Sequence, residues 1–257
     1  MSFWVSAVLL AFAADERLTE KLEDWNLERT LEIKQDLHHV QGIDVEGDWL
    51  WISSVDRKAR KGYLHRISLK TGKVVKTVDV SDGAKIHPGG LALDGDSLWV
   101  PVAEYDRDGP SNIEKRNKMT LARESSFEVK DHIGCVAPAR NRLIGGSWGS
   151  RTVYTWTMTG EEIDKRPNPS PYDWQDVKVD RGMLLGAGNR DKDNGAIEWL
   201  RLPDLHVLRR ITAGKTSRGV TYTNEGVTYR GGKLFLLPED APSRLFVFTP
   251  KPTTPAP

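Results

Sequence analysis

Residues Ile86 to Tyr105 read IHPGGLALDGDSLWVPVAEY, and this stretch decides the fold because four others can be laid over it. It reads as strand, tight turn, strand: Leu91 and Leu93 alternate towards a core, Asp94-Gly95-Asp96 makes the turn, and Leu98 to Val102 runs back antiparallel. His87 stands at one end of the hairpin and Glu104 at the other. A hairpin returns its two outer ends to one side, so the pair is expected to be near neighbours.

Aligned on that hairpin, the five units are HVQGIDVEGDWLWISSVD from His39, HPGGLALDGDSLWVPVAE from His87, HIGCVAPARNRLIGGSWG from His132, DWQDVKVDRGMLLGAGNR from Asp173 and TNEGVTYRGGKLFLLPED from Thr223. Their starts lie 41 to 50 residues apart, the period of a four-stranded propeller blade. A third strand follows each hairpin, at Tyr63 to Leu69, Asn112 to Met119, Thr152 to Thr157, Ala196 to Leu202 and Arg244 to Phe248. Fourth strands follow in four units, as at Val74 to Val80 and His206 to Thr212. The fifth unit has none, because the chain runs into KPTTPAP, residues 251–257, a Pro/Thr tail expected to be disordered. Leu27 to Gln35 reads as a strand without a hairpin partner, and pairing it with the last blade would close the ring and hide an open edge. The expected architecture is all-β, a five-bladed β-propeller over residues 27–250, with six blades as the alternative if Ser217 to Thr221 forms a blade fragment.

Composition bounds the function. The chain has 257 residues, 38% of them hydrophobic, and nine tryptophans, enough for one large core. Net charge is +1 with Lys and Arg scattered, so no basic stripe for nucleic acid or an anionic membrane is present, and the expected partners are small molecules or other proteins. A small-molecule ligand at the mouth of a monomer is the expectation. At the N-terminus an apolar run from Phe3 to Ala13 ends in Ala11-Phe12-Ala13, the small-x-small pattern of a secretory cleavage site. Residues 1–13 therefore read as a signal peptide for export to the periplasm or outside the cell. Residues 14–26, with Leu18, Leu22 and Trp25 at helical spacing, read as a short helical lead-in. Cys135, the only cysteine, stands at a strand start and is expected to be buried rather than nucleophilic.

In a propeller the innermost strand of every blade starts on one face near the axis, so residues at the repeat starts converge. Three of the six histidines, His39, His87 and His132, share that register with Asp173. Together these four could hold a divalent transition metal, since neutral imidazole suits zinc, copper, nickel or iron. Gln41, Gln175, Asp56 and Trp148 are the ligand-binding candidates around them, and Glu104, His87 and His132 the catalytic ones. An alternative oxygen set, Glu225, Glu104, Asn189 and Asp240, would suit calcium and leave the histidines to move protons. Other motifs fail: Ala213-Gly214-Lys215-Thr216 lacks the first glycine of a phosphate loop, and Gly146-Ser147-Trp148-Gly149-Ser150 misplaces the serine of a nucleophile elbow.

The strings His87-Pro88-Gly89-Gly90, Trp99-Val100-Pro101-Val102-Ala103-Glu104-Tyr105, Asp131-His132-Ile133-Gly134 and Ser147-Trp148-Gly149-Ser150-Arg151 resemble a bacterial domain-of-unknown-function family of exported propeller-like proteins. That resemblance implies fold and localisation and carries no activity. Val40-Gln41-Gly42-Ile43 and Leu69-Lys70-Thr71-Gly72-Lys73-Val74 are similar to glutamine cyclotransferases, exported five-bladed propellers whose acidic residue after the second strand would match Asp56 or Glu104. Glu225, Asn189 and Glu104 resemble, by residue type and position, the mouth of calcium-dependent lactonases of the gluconolactonase type. The leading expectation is a metal-assisted hydrolase of a small polar ester or lactone. Its alternatives are a propeller that binds a ligand or protein without chemistry, and a metal-free cyclotransferase with Glu104 as acid and base.

Overall fold

The computed structural model describes residues 19–252, so the signal-peptide reading and most of the Pro/Thr tail lie outside the described residues. Each repeat becomes one antiparallel sheet. The first blade holds β3 (His39–Glu46), β4 (Trp49–Asp56), β5 (Lys61–Ser68) and β6 (Val74–Asp79). In the second, β7 (Lys85–Pro88) and β8 (Ala92–Asp94) share the innermost position, followed by β9 (Ser97–Glu104), β10 (Ser111–Asn117) and β11 (Arg123–Val129). The third holds β12 (Ile133–Ala139), β13 (Arg142–Ser147), β14 (Thr152–Thr157) and β15 (Glu162–Pro167), and the fourth β16 (Asp173–Asp180), β17 (Met183–Asn189), β18 (Gly195–Arg201) and β19 (His206–Ala213).

The fifth blade, β20 (Glu225–Arg230), β21 (Lys233–Pro238) and β22 (Arg244–Pro250), takes its outer strand from the N-terminus: β2 (Trp25–Glu32) pairs antiparallel with β22. The ring therefore closes as expected, with the closing strand starting two residues earlier than the apolar pattern implied. Two expectations are corrected. Residues 19–24 form no α-helix: β1 (Thr19–Lys21) pairs in parallel with β19 on the edge of the fourth blade, and Leu22–Asp24 is a single 3-10 turn. Leu22 and Trp25 are nonetheless buried, against Leu185, Trp199 and Phe246, so their spacing reported burial rather than helix. Ser217 to Thr221 is a turn tied by a Lys215–Thr221 bridge, which leaves five blades.

Apolar side chains from facing blades make five clusters, one at each blade interface. Trp51 and Leu64 meet Leu91 and Val100 between the first two blades, and Trp99 meets Trp156 between the second and third. Trp51, Trp99 and Trp156 are fully buried, each withdrawing about 200 Å² from water. Cys135 is buried in the cluster between the third and fourth blades, where burial pushes its thiol up to about 12 and makes it inert.

Near the axis the inner strands run so close that side chains are excluded. A Cβ on Gly42 would stand 2.4 Å from the Gly90 Cα, and one on Gly89 2.0 Å from the Gly134 carbonyl oxygen. Gly90 instead bridges Cys135 in parallel, joining the second blade to the third. The equivalent residue of the fourth blade, Asp176, accepts hydrogen bonds from the Ile43 amide at 3.0 Å and the Val227 amide at 3.1 Å, with Lys178 Nζ 2.5 Å away. Three blades are thus fastened across the axis beneath the mouth.

Candidate functional site at the axial mouth

The starts of the inner strands and the ends of the second strands meet on one face, and the side chains there sort into two groups. The first is built by the seam between the last and first blades. His39 opens β3, Glu225 opens β20, and Glu239 follows the end of β21. His39 Nδ1 lies 2.6 Å from Glu239 Oε1, and one ligand atom each from His39, Glu225 and Glu239 lie within 4.8 Å of one another. Glu225 is 5% exposed and its Oε2 has no hydrogen-bond partner among the described residues. Burial, then the charge of Glu239, pushes its carboxyl well above the usual range, while the hydrogen bond from His39 lowers that of Glu239. Glu225 also has φ +131°, a backbone conformation costing about 1–3 kcal/mol for a residue with a side chain. The same register position is Gly89 in the second blade and Gly134 in the third.

The second group is a histidine pair. His132 Nδ1 lies 2.7 Å from the Asp106 carbonyl oxygen, which can only accept, so this nitrogen carries the proton. Burial holds His132 below the ordinary imidazole range, so it is neutral and its Nε2 is an acceptor. That Nε2 lies 3.0 Å from His87 Nδ1, which must then donate. His87 is driven down further, by burial first and then by His132, His39 and Arg57, and it too is neutral. Its Nε2 is consequently a bare lone pair, buried and without a partner among the described residues.

Trp148 and Tyr105 wall this pair: the Trp148 ring lies 4.5 Å from His132 and the Tyr105 ring 4.5 Å from His87, centroid to centroid. Arg57 lies 5.5 Å over the Tyr105 ring and its charge is felt at His87, Glu225 and Glu239, which ties the two groups into one mouth. A cavity of about 500 Å³ lies elsewhere, at the β12–β13 and β18–β19 turns on the opposite end of the third and fourth blades. It contains none of these residues.

A family of unknown function, DUF6454, matches this chain over residues 12–179, more than half its length. The chain belongs to that family. No curated protein matches it. Among solved structures it is similar to a glutaminyl cyclase from Myxococcus xanthus, at 16% identity and a TM-score of 0.66 over 87% of this chain and 95% of that one. A protein of unknown function from Bacteroides caccae is similar at 12% identity and a TM-score of 0.51, over 77% and 69% of the two chains. The Pan2 WD40 domain of Neurospora crassa gives 10% identity and a TM-score of 0.51 over 83% and 62%. At these identities the likeness concerns the propeller fold alone.

Several expected site residues of this DUF6454 member stand elsewhere than the repeats suggested. His39, His87, His132 and Asp173 do not form one ligand set, because the His87–His132 hydrogen bond uses two nitrogens and the Asp106 carbonyl a third. Asp173 sits beside Ser150, Arg107 and Gln175, and burial raises its carboxyl. The oxygen set is dispersed: Asp240 is held by Arg244 and Arg218, and Asn189 accepts from Thr223 Oγ1 at 2.8 Å. Glu104 is opposite Lys85 rather than His87, since a bulge between Lys85 and His87 puts Ala103 opposite the histidine. Asp56 caps a turn through the Ala59 amide at 2.9 Å and lies 3.6 Å from His38. Gln41 is buried with its amide on the Val40 carbonyl, and Gln175 reaches the Asp173 carbonyl at 3.4 Å. Trp148 is at the mouth. Arg57 and Tyr105 were missed; each directly follows a second-strand acid, Asp56 or Glu104, and that adjacency was the available signal.

Proposed function

We propose that this protein is an exported hydrolase of small polar esters or lactones, working at the axial mouth. One observation carries the reading: among the described residues the mouth holds an unpartnered buried acid, Glu225, and an unpartnered buried base atom, His87 Nε2. A buried polar atom without a partner costs about 1–3 kcal/mol, so two in one mouth point to groups that are satisfied by a ligand.

Hydrolysis needs an electrophile on the acyl oxygen, a proton acceptor for water and a proton donor for the leaving group. Glu225, neutral in its buried setting, keeps its proton and hydrogen-bonds through its O–H to the acyl oxygen. Water gives a proton to His87 Nε2 as its oxygen bonds to the acyl carbon, and the His87 Nδ1 proton passes to His132 Nε2. His132 is the better place for the charge, because the Asp106 carbonyl and the Asp131 and Asp106 carboxylates all favour its protonation. The bond from acyl carbon to leaving oxygen then breaks, Glu225 protonates the alkoxide, and the proton on the histidine pair returns to Glu225. Arg57 faces the charge that develops, and Tyr105 and Trp148 present flat walls to the substrate.

The test is a pH-stat assay of the purified protein on aldonolactones and small acyl esters. Turnover should fall about 100-fold or more in Glu225→Gln and in His87→Gln, each with an unchanged thermal midpoint. An inactive wild type, or variants as active as it, would overturn the reading. Export predicts a mature chain beginning at Ala14, read by N-terminal sequencing of secreted protein. The likeness to a glutaminyl cyclase supports a second reading, in which the same acid and base serve an attacking α-amine and departing ammonia. A peptide with N-terminal glutamine in the same assay separates the two, and ligand binding without any turnover would mark a binding module instead.

A further inference from the structure

The seam cluster has the composition of a metal centre. His39 comes from the first blade and Glu225 and Glu239 from the fifth, yet their ligand atoms lie within 4.8 Å of one another. Tetrahedral ligands about 2.0–2.2 Å from zinc stand roughly 3.4 Å apart, so a cation would draw the widest pair in by no more than about 1.4 Å and spread His39 Nδ1 and Glu239 Oε1 from their 2.6 Å. Within the cluster, Glu239 is engaged by His39 at 2.6 Å, but the Glu225 Oε2 engages nothing among the described residues despite being buried. Geometry of this kind, two carboxylates and an imidazole with one oxygen aimed at no protein group, is satisfied by a cation in the gap.

We propose that His39, Glu225 and Glu239 hold one divalent transition cation, of the zinc or manganese class, at the seam of the mouth. One nitrogen and two carboxylate donors favour that class over calcium, which takes six to eight oxygens. Three protein ligands leave a coordination position open, the pattern of a catalytic rather than a structural centre. The inference deepens the hydrolase reading and rests on it for its chemistry: the cation takes the electrophile's part that the Glu225 proton plays otherwise, and Glu225 is then ionised. Water still yields its proton to His87 Nε2, the hydroxide oxygen bonds to the acyl carbon, and the leaving alkoxide recovers a proton from the histidine pair. The cation site itself does not depend on that chemistry.

Equilibrium dialysis of the chelator-stripped full chain against Zn²⁺, Mn²⁺ and Ca²⁺, read by elemental analysis, tests it. One equivalent of zinc or manganese should be retained, with affinity about 10-fold or more weaker in Glu225→Gln and Glu239→Gln. Glu225→Gln keeps the neutral shape of the protonated acid and is expected to fold. His206→Gln, an exposed histidine on the outer strand of the fourth blade, should leave uptake unchanged. Uptake that is absent, confined to calcium, or untouched by Glu225→Gln would overturn the cation centre. If uptake fails while lactones are still hydrolysed and Glu225→Gln is inactive, the proton version of the mechanism stands and the metal falls. If uptake holds but the metal-loaded protein turns over no ester or lactone, the hydrolase reading falls and the metal stands.

Discussion

His65, a buried histidine on the third strand of the first blade, gives the molecule an acid limb. Its ring is 3% exposed, with Nε2 2.8 Å from Ser54 Oγ and Nδ1 2.9 Å from Thr77 Oγ1. Burial, with a smaller push from His38, lowers its pKa from 6.5 to about 4. The folded form therefore binds this proton less readily than the unfolded chain. The sign follows: above pH 6.5 neither state is protonated and nothing is lost, whereas between pH 6.5 and about 4 the unfolded state gains a proton that the folded state refuses. At pH 4.5 the loss is about 2.5 kcal/mol, and it levels off at about 3.4 kcal/mol roughly a unit below pH 4. His65→Gln should flatten this part of the curve, so urea unfolding at pH 7 and pH 4.5 should differ by about 2.5 kcal/mol less in the variant than in the wild type. An equal difference in both proteins would show that His65 is not the group responsible. At this same scale the site was only half legible in the sequence. Glu239 and Asp240 are adjacent acids that alternate to opposite sides, and a repeat alignment cannot choose between them. Glu239 meets His39, while Asp240 is consumed by Arg218 and Arg244. In the second blade the bulge beside His87 moved Glu104 by one residue for the same reason: a single-residue slip in a strand turns every later side chain to the other face.

The inner strands carry two acids that act as elements of assembly rather than of the site. Asp44 on β3 accepts from the Leu93 amide at 2.9 Å and Thr228 Oγ1 at 2.8 Å, linking the first blade to the second and fifth. Asp176 on β16 links the fourth blade to the first and fifth and holds Lys178 in an ion pair whose partners are 0% and 5% exposed. Polar and apolar residues alternate along β16, a pattern that in an open sheet marks a solvated face. In a propeller, however, the side of the inner strand nearest the axis is enclosed by four other blades, and backbone amides there need acceptors. Asp176→Asn removes the charge that pairs Lys178 and leaves a buried ammonium, so it should cost about 3–5 kcal/mol. The double variant Asp176→Asn with Lys178→Met should recover part of that loss, because the stranded charge is gone. Urea midpoints of the three proteins decide the matter: a double variant no more stable than Asp176→Asn would mean that the cross-blade hydrogen bonds, not the ion pair, carry the effect.

Across the whole molecule, stability depends on each blade covering its neighbour, with five apolar interfaces and one strand crossing from the N-terminus to the last sheet. This level was the most legible in the sequence, because a repeated hairpin with alternating apolar residues and a turn leaves few other ways to bury the six tryptophans that the blades enclose. The missing fourth strand of the fifth unit and the orphan strand near the N-terminus announced their own pairing. What periodicity could not convey was β1, three residues pairing in parallel with β19, since so short a run carries no pattern. The closing strand makes the sharpest prediction at this scale. β2 covers the backbone edge of β22, Leu31 packs with Leu245 and Val247, and Lys233 pairs with Glu28 at 2.5 Å. Deleting residues 1–34 exposes the β22 edge together with the apolar seam between the fifth and first blades, and an uncovered apolar edge is a template for pairing with a second chain. The truncated protein should therefore unfold at a lower temperature and elute as dimers or larger species, whereas the intact chain should elute as a monomer. A synthetic peptide of residues 22–36 added during refolding should restore both the monomer and the midpoint, because it replaces the strand without replacing the connection. Because His39 and its partners Glu225 and Glu239 lie on opposite sides of that seam, the same truncation should loosen the mouth, and a truncated protein as stable as the intact chain would mean that the ring is held shut by its blade interfaces alone.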